Sequence, residues 1–412
     1  MASKRLLHHV TSFSELEPIS FFFDDPQWKR LLAFILKRTA LNSIDVKFTS
    51  LEDLETLSQF MASSSGSLAS LCLRPVDSIA RRPIQCKLID LHALQGFQQL
   101  QRLKLGRGRW ELRSANAAWF TALRCLTIEH AGCYENDYDF LSSISPQLHE
   151  FSLSSFSSTF CSLRLEFSVA RVIKVSCEQS ILAAFFSVPA TLKILTIKAE
   201  ELGVHCKGSS PLSLDSLTLV GRKQLVVYSL PPLASVKTVF LNGPHVPEFT
   251  DRDAVSATQL LSTFAPTVKT LTVRHGWPLE DVDAEWSRLR CLGIGAEGRG
   301  SGGVRRAATV EEKARSRNEL EAIKLSFILA PKLECIFFAT RQWQIKTLAS
   351  LPINFPSLKF YRIVGRSFHW KGEGERRNNK PVVQMRPDYA ACAMKAEDMK
   401  EDDRMMMVLQ TL

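Results

Sequence analysis

One spacing of apolar residues returns along most of this chain: an apolar residue, two others, an apolar residue, two others, an apolar residue, one other, and a last apolar residue. It reads Phe97-Leu100-Leu103-Leu105 and then Phe120-Leu123-Leu126-Ile128. Looser copies hold Leu148, Phe151 and Leu153, and Phe167, Ala170, Ile173 and Val175. Further copies end at Ile197, Leu219, Leu241, Val273, Ile294, Phe338 and Ile363. Successive last positions, from 105 to 363, lie 23, 25, 22, 22, 22, 22, 32, 21, 44 and 25 residues apart. The 44 is two units of 22, and the 32 is one unit with about ten residues added. An ordinary β-sandwich also alternates apolar residues, but its turns come every 8–12 residues or so. A constant spacing near 22 instead predicts stacked units of one supersecondary type, each too small to bury its own apolar face. Earlier copies read Leu68-Leu71-Leu73 and Leu41-Ile44-Val46.

Within each unit the closing apolar-other-apolar step has the period of a strand, so those side chains point inward and the intervening ones outward. Between strands, Asp253 to Phe264 and Lys313 to Leu329 have helical spacing. Pro146, Pro189, Pro211, Pro266, Pro331 and Pro356 precede strands, where each ends the foregoing element. The expected fold is α/β: a leucine-rich-repeat solenoid, with a curved parallel sheet and helices or loops on its convex side. Residues 65–370 would form the irregular repeats. Residues 1–64 would supply a helical cap and a possible first repeat, with Phe21, Phe22, Phe23, Trp28 and Phe34 as its apolar surface. A Gly-rich insertion is expected at about 295–312, and residues 371–412 read as a polar tail without order.

The unit departs from the common leucine-rich pattern at one place. That pattern sets Asn or Cys three residues after the last strand apolar. Here those places hold Gly108, Ala131, Glu200, Arg222, Pro244 and similar residues, so no Asn ladder is expected.

The outward positions, which would face the concave side of the curved sheet, are candidates for contact with a partner. They are Arg102, Lys104, Thr127, Glu129, Thr196, Lys198, Thr218, Phe240, Asn242, Thr272, Arg274, Phe337, Phe360 and Arg362. Exposed rings and Arg on a rigid sheet suit a protein-binding patch. Thr is also simply a good strand former, so single positions carry little weight alone.

Composition narrows the class. The 412 residues are 45% hydrophobic and 23% charged, which excludes a disordered chain. The formal charge of +10 raises the question of nucleic acid, but basic residues are spread along the chain and mixed with acids. A protein ligand is therefore expected rather than nucleic acid, and no membrane association is expected. The ten cysteines form no CxxC pair and no Cys/His set with zinc spacing, so they read as reduced thiols of a cytoplasmic or nuclear protein. The run Gly293-Ile294-Gly295-Ala296-Glu297-Gly298 matches GxGxxG but leads into more glycine instead of a helix, which removes the amides a pyrophosphate needs. No nucleophile–base constellation stands out, and no cofactor, metal or catalytic residue is expected.

The segments Trp286-Ser287-Arg288-Leu289-Arg290-Cys291-Leu292, Ala330-Pro331-Lys332-Leu333-Glu334 and Phe355-Pro356-Ser357-Leu358-Lys359 resemble the repeat portion of fungal-type F-box/leucine-rich-repeat proteins, over about 65–370. The resemblance implies a ribonuclease-inhibitor-like array whose face captures other proteins. In that family an N-terminal F-box beginning Leu-Pro docks to the adaptor of a cullin (SCF) ubiquitin ligase. Residues 1–60 hold no such start. Two functions follow as expectations: a non-catalytic interaction scaffold, or a ligase substrate receptor with a degenerate or missing F-box.

Overall fold

In the computed structural model the described residues are 19–22, 43–48, 68–75, 89–95, 97–108, 110–112, 115–129, 138–155, 161–243, 254–274, 277–295, 329–339, 357, 360–363 and 382–384. The chain forms two compact units: Met1–Leu192 with Cys206–Gly208, and Lys193–His205 with Ser209–Leu412.

The first unit contains, in chain order, β1 (Ile19–Phe22), β2 (Ser43–Phe48), β3 (Ser70–Pro75), β4 (Ile89–Asp90), β5 (Arg102–Leu105), β6 (Trp110–Glu111), β7 (Cys125–Glu129), α1 (Tyr138–Ile144), β8 (Glu150–Ser155), β9 (Cys161–Glu166) and β10 (Val172–Ser187). Strands β1-β2-β3-β5-β7-β8-β10 lie side by side in that order, and β9 pairs with the second half of β10. The second unit contains most of β11 (Ile194–Lys207), through His205, and β12 (Leu212–Ser229), β13 (Leu233–Asn242), α2 (Ala257–Phe264), β14 (Thr270–Arg274), β15 (Cys291–Gly295), β16 (Cys335–Ala339), β17 (Phe360–Ile363) and β18 (Val382–Gln384). Its strands pair in chain order, in parallel from β11 to β17, and β18 closes the edge antiparallel to β17. Each unit is α/β, built on an open, mainly parallel sheet with few helices among the described residues. That architecture is compatible with a solenoid.

The apolar period of the sequence coincides with the register of the ladders. In the first unit Val46 pairs with Leu73, Leu73 with Leu105, Leu105 with Ile128, Ile128 with Leu153 and Leu153 with Val175. In the second, Ile197, Leu219, Leu241, Val273, Ile294, Phe338 and Ile363 follow one another in register. A slip of one residue would turn the buried members of these ladders to the other face, so burial itself sets the pairing. Leu73, Leu105, Ile128, Ile197, Leu219 and Leu241 are fully buried. Each such side chain contributes about 1.5–3 kcal/mol relative to exposure. Behind them, Phe120 meets Phe140 of α1 edge to face at 5.9 Å, and Phe167 meets Phe186 likewise at 6.0 Å.

A backbone ladder ties neighbouring rungs together at the other end of the strands from the missing Asn. Just before several of the strands, one carbonyl accepts two consecutive amides of the next rung. Ala69 O accepts from Gln101 and Arg102 (2.8 and 2.9 Å), Gln101 O from Arg124 and Cys125 (2.8 and 2.9 Å), and Arg124 O from His149 and Glu150 (2.7 and 3.0 Å). In the second unit Lys193 O accepts from Asp215 and Ser216, Lys269 O from Arg290 and Cys291, and Arg290 O from Glu334 and Cys335. A carbonyl has two lone pairs, so one group satisfies both amides and no side-chain amide is required. The side chains at these positions are left free to vary.

Several connections depart from the sequence expectation. The second halves of β10, β11 and β12, together with β9, are strands rather than helices or loops. They alternate with a period of two: Cys161, Leu163 and Leu165; Leu182, Ala184 and Phe186; Leu202, Val204 and Cys206; Leu225 and Val227 are all buried. Two short strands and a corner fill 22 residues, whereas α1 and α2 occur in the longer intervals of 25 and 32. Helix α2 begins at Ala257, capped by Ser256 Oγ accepting from Gln259 N, so only the later part of 253–264 is helical. Ile19–Phe22 is a strand, not part of a helical cap, because Phe21 pairs with Val46 as one more rung. Val382–Gln384 within the expected polar tail is also a strand. The expected helix over 313–328 and the 296–312 insertion lie outside the described residues.

Two glycines make the corner of β12 and β13 possible. A Cβ on Gly221 would lie 1.9 Å from Gln224 O. Gly243 has φ +142, and a Cβ there would lie 2.0 Å from Gly221 O. Gly243 O in turn accepts from Trp277 Nε1 at 3.1 Å. Trp110 Nε1 does the same for Gly106 O in the first unit, at 2.7 Å.

Candidate binding face

The outward residues of each ladder form straight rows, because strands in register carry equivalent side chains about 4.8 Å apart. In the first unit one row runs Arg102–Cys125–Glu150, and the next Asp45–Cys72–Lys104–Thr127–Ser152–Lys174. A third holds Glu129, Ser154 and Ser176. Four of the residues expected from the sequence, Arg102, Lys104, Thr127 and Glu129, are thus brought together on one surface. Arg102 is exposed and the other three are half-exposed. Lys104 Nζ and Glu129 Oε1 are 2.7 Å apart.

Three further residues on this face escaped the sequence reading. Arg74 binds Asp45 through NH2 and Oδ2 at 2.8 Å, and its Nε donates to Cys72 Sγ at 3.2 Å. Asp45 is 7% exposed, and its Oδ1 has no hydrogen-bond partner among the described residues. Burial pushes the Cys72 thiol up, and the bond from Arg74 opposes the shift. Burial, with the Glu150 charge second, does the same to Cys125. The signal available was parity alone: Asp45 and Cys72 stand between inward apolar pairs, 44/46 and 71/73. The face therefore alternates acid, thiol, base and hydroxyl, and both signs of charge lie within a few rungs.

In the second unit the main row is Thr196–Thr218–Phe240–Thr272–Gly293–Phe337–Arg362. Lys198 is exposed, while Thr196, Thr218 and Asn242 are half-exposed. Two residues differ from the expectation of outward contact groups. Phe240 is only 9% exposed, held on an inner strand between Thr218 and Thr272. Thr272 is 3% exposed, and its side chain occupies the space that Gly293 leaves open, where a Cβ would stand 2.8 Å from Thr272 Oγ1. Arg274, Phe337, Phe360 and Arg362 stand on β14, β16 and β17 as expected, and their side chains lie outside the described residues. The row before this one places Cys291 beside Cys335.

Among the described residues no three His, Cys, Asp or Glu side chains are grouped to hold a metal ion, and no helix is long and apolar enough to cross a membrane. No protein-family model matches this chain, and comparison with the curated proteins gives no match.

Proposed function

We propose that this protein is a non-catalytic scaffold of irregular leucine-rich repeats that holds a partner protein on the outward sheet face. The observation that carries the reading is the patch of Arg102, Lys104, Thr127 and Glu129, continued by Asp45 and Arg74, on strands whose opposite sides are locked by buried leucines. Such side chains are held at fixed spacing at little further entropic cost, which favours specific contact. Mixed charge suits a protein surface of complementary sign pattern. It disfavours a phosphate backbone, because Glu129 and Glu150 would meet the phosphates.

The test is comparative affinity purification of the full chain and an Arg102→Glu/Lys104→Glu variant. A partner recovered with the natural chain and lost with the variant is the expected result. Equal recovery of every partner by both forms overturns the assignment to this face. The resemblance to F-box/leucine-rich-repeat proteins supports a narrower reading, a substrate receptor of a cullin ligase. Recovery of the ligase adaptor would favour it, and that contact should survive the face variant.

A further inference from the structure

Cys291 opens β15 and Cys335 opens β16, and the two are direct register partners on adjacent parallel strands. Their sulfur atoms lie 2.6 Å apart, although 44 residues separate them in sequence. Register partners in a sheet have Cα atoms about 4.8 Å apart, inside the 4.4–6.8 Å range that a disulfide spans. Both side chains point to the outward face, since Leu292, Ile294 and Ile336 take the buried positions. Cys291 is half-exposed, and Cys335 is 3% exposed. In their own rows Cys72 pairs with Asp45 and Lys104, and Cys125 with Arg102 and Glu150, so neither has a thiol as its register partner.

We infer that Cys291 and Cys335 form a thiol–disulfide site, oxidised by hydrogen peroxide to a bond that clips β15 to β16. The accessible Cys291 thiolate attacks the peroxide O–O bond, takes one oxygen as sulfenic acid and releases hydroxide, which leaves as water after taking a proton. The Cys335 sulfur then attacks the Cys291 sulfur. The S–S bond forms, the S–O bond breaks, and the second hydroxide leaves as water with the Cys335 proton. Two thiols and one peroxide become one disulfide and two waters. The sulfurs together lose two electrons, and the peroxide gains them. A dithiol reverses the bond by exchange. The clip would close a covalent loop between two residues that lie 44 apart in sequence.

The test uses the full chain, reduced with a dithiol, freed of it, and given a stoichiometric dose of hydrogen peroxide. Remaining thiols are blocked with iodoacetamide, and the protein is digested with trypsin without reductant. Cleavage after Arg290, Arg299, Lys332 and Arg341 releases peptides 291–299 and 333–341. The expected result is these two peptides joined, in excess over every other cysteine pair, and their separation on adding dithiothreitol. Recovery of both as single, alkylated or over-oxidised peptides overturns the inference. In a Cys291→Ser variant the joined species must vanish and Cys335 must stay unpaired. If Cys335 instead links to another cysteine, pairing follows collision and not register, and the inference also fails. Circular dichroism of the variant against the natural chain separates that outcome from loss of fold.

Discussion

Replacing Gly243 by Ala tests how tightly the corner of the second unit is built. Gly243 has φ +142, a conformation in which an L side chain costs roughly 1–3 kcal/mol. The new Cβ would stand 2.0 Å from Gly221 O, which is backbone and cannot swing away. The chain must therefore shift at residue 243. That shift moves the carbonyl that accepts from Trp277 Nε1 at 3.1 Å, a bond to a buried indole worth about 1 kcal/mol net. The sum is about 2–4 kcal/mol, before any loss of packing. At about 2–4 °C per kcal/mol for a unit of this size, the melting temperature should fall by about 4–16 °C. The assay is thermal and urea unfolding of the natural chain, Gly243→Ala, Trp277→Phe and the double variant. Because the strained residue is also the one whose carbonyl takes the indole bond, the double variant should lose less than the two single losses added together. A Gly243→Ala protein within about 0.5 kcal/mol of the natural chain would refute the stacked-corner account.

Other consequences are equally open to measurement. Leu219→Ala, at a buried position in register with Ile197 and Leu241, should cost about 2–5 kcal/mol in urea unfolding, the range for a leucine cavity. Lys104→Ala should change stability by less than about 1 kcal/mol, because the pair with Glu129 is more than a third exposed on both sides, while partner capture by the face should weaken. Burial pushes the Cys206 thiol up from 9.0 to about 12. The unfolded chain ionises this thiol first, so its contribution to stability is present below pH 9.0 and is lost as pH rises toward about 12. Alkaline titration of stability should show that loss, and Cys206→Val should flatten it. Lys237 Nζ, 2.6 Å from Asp215 Oδ1, holds that carboxyl below the usual range. Lys237→Met should return the Asp215 titration, followed by NMR, to the ordinary carboxylate value with little effect on unfolding.

The strands and their register were legible in the chain itself. An apolar pair spaced by one residue has only one way to bury both members, and a period near 22 brings the next pair alongside. Parity then places Arg102, Lys104, Thr127 and Glu129 on the outward face with no further information. Local pattern could not say what that face does with each side chain. Phe240 and Thr272 have outward parity, yet both are buried, because the strands on either side of them supply their surroundings. Likewise, alternation over 161–166 and 182–187 reads equally as exposed loop or second strand until β9 and β10 meet. Tertiary structure alone also placed Cys335 against Cys291 across 44 residues, and joined Trp277 to Gly243 across 34. Sequence spacing determines which side of a strand a residue occupies, since that depends on the residue's own backbone. Burial, pairing and corner strain depend on atoms contributed by other rungs, and only the folded chain brings those within reach.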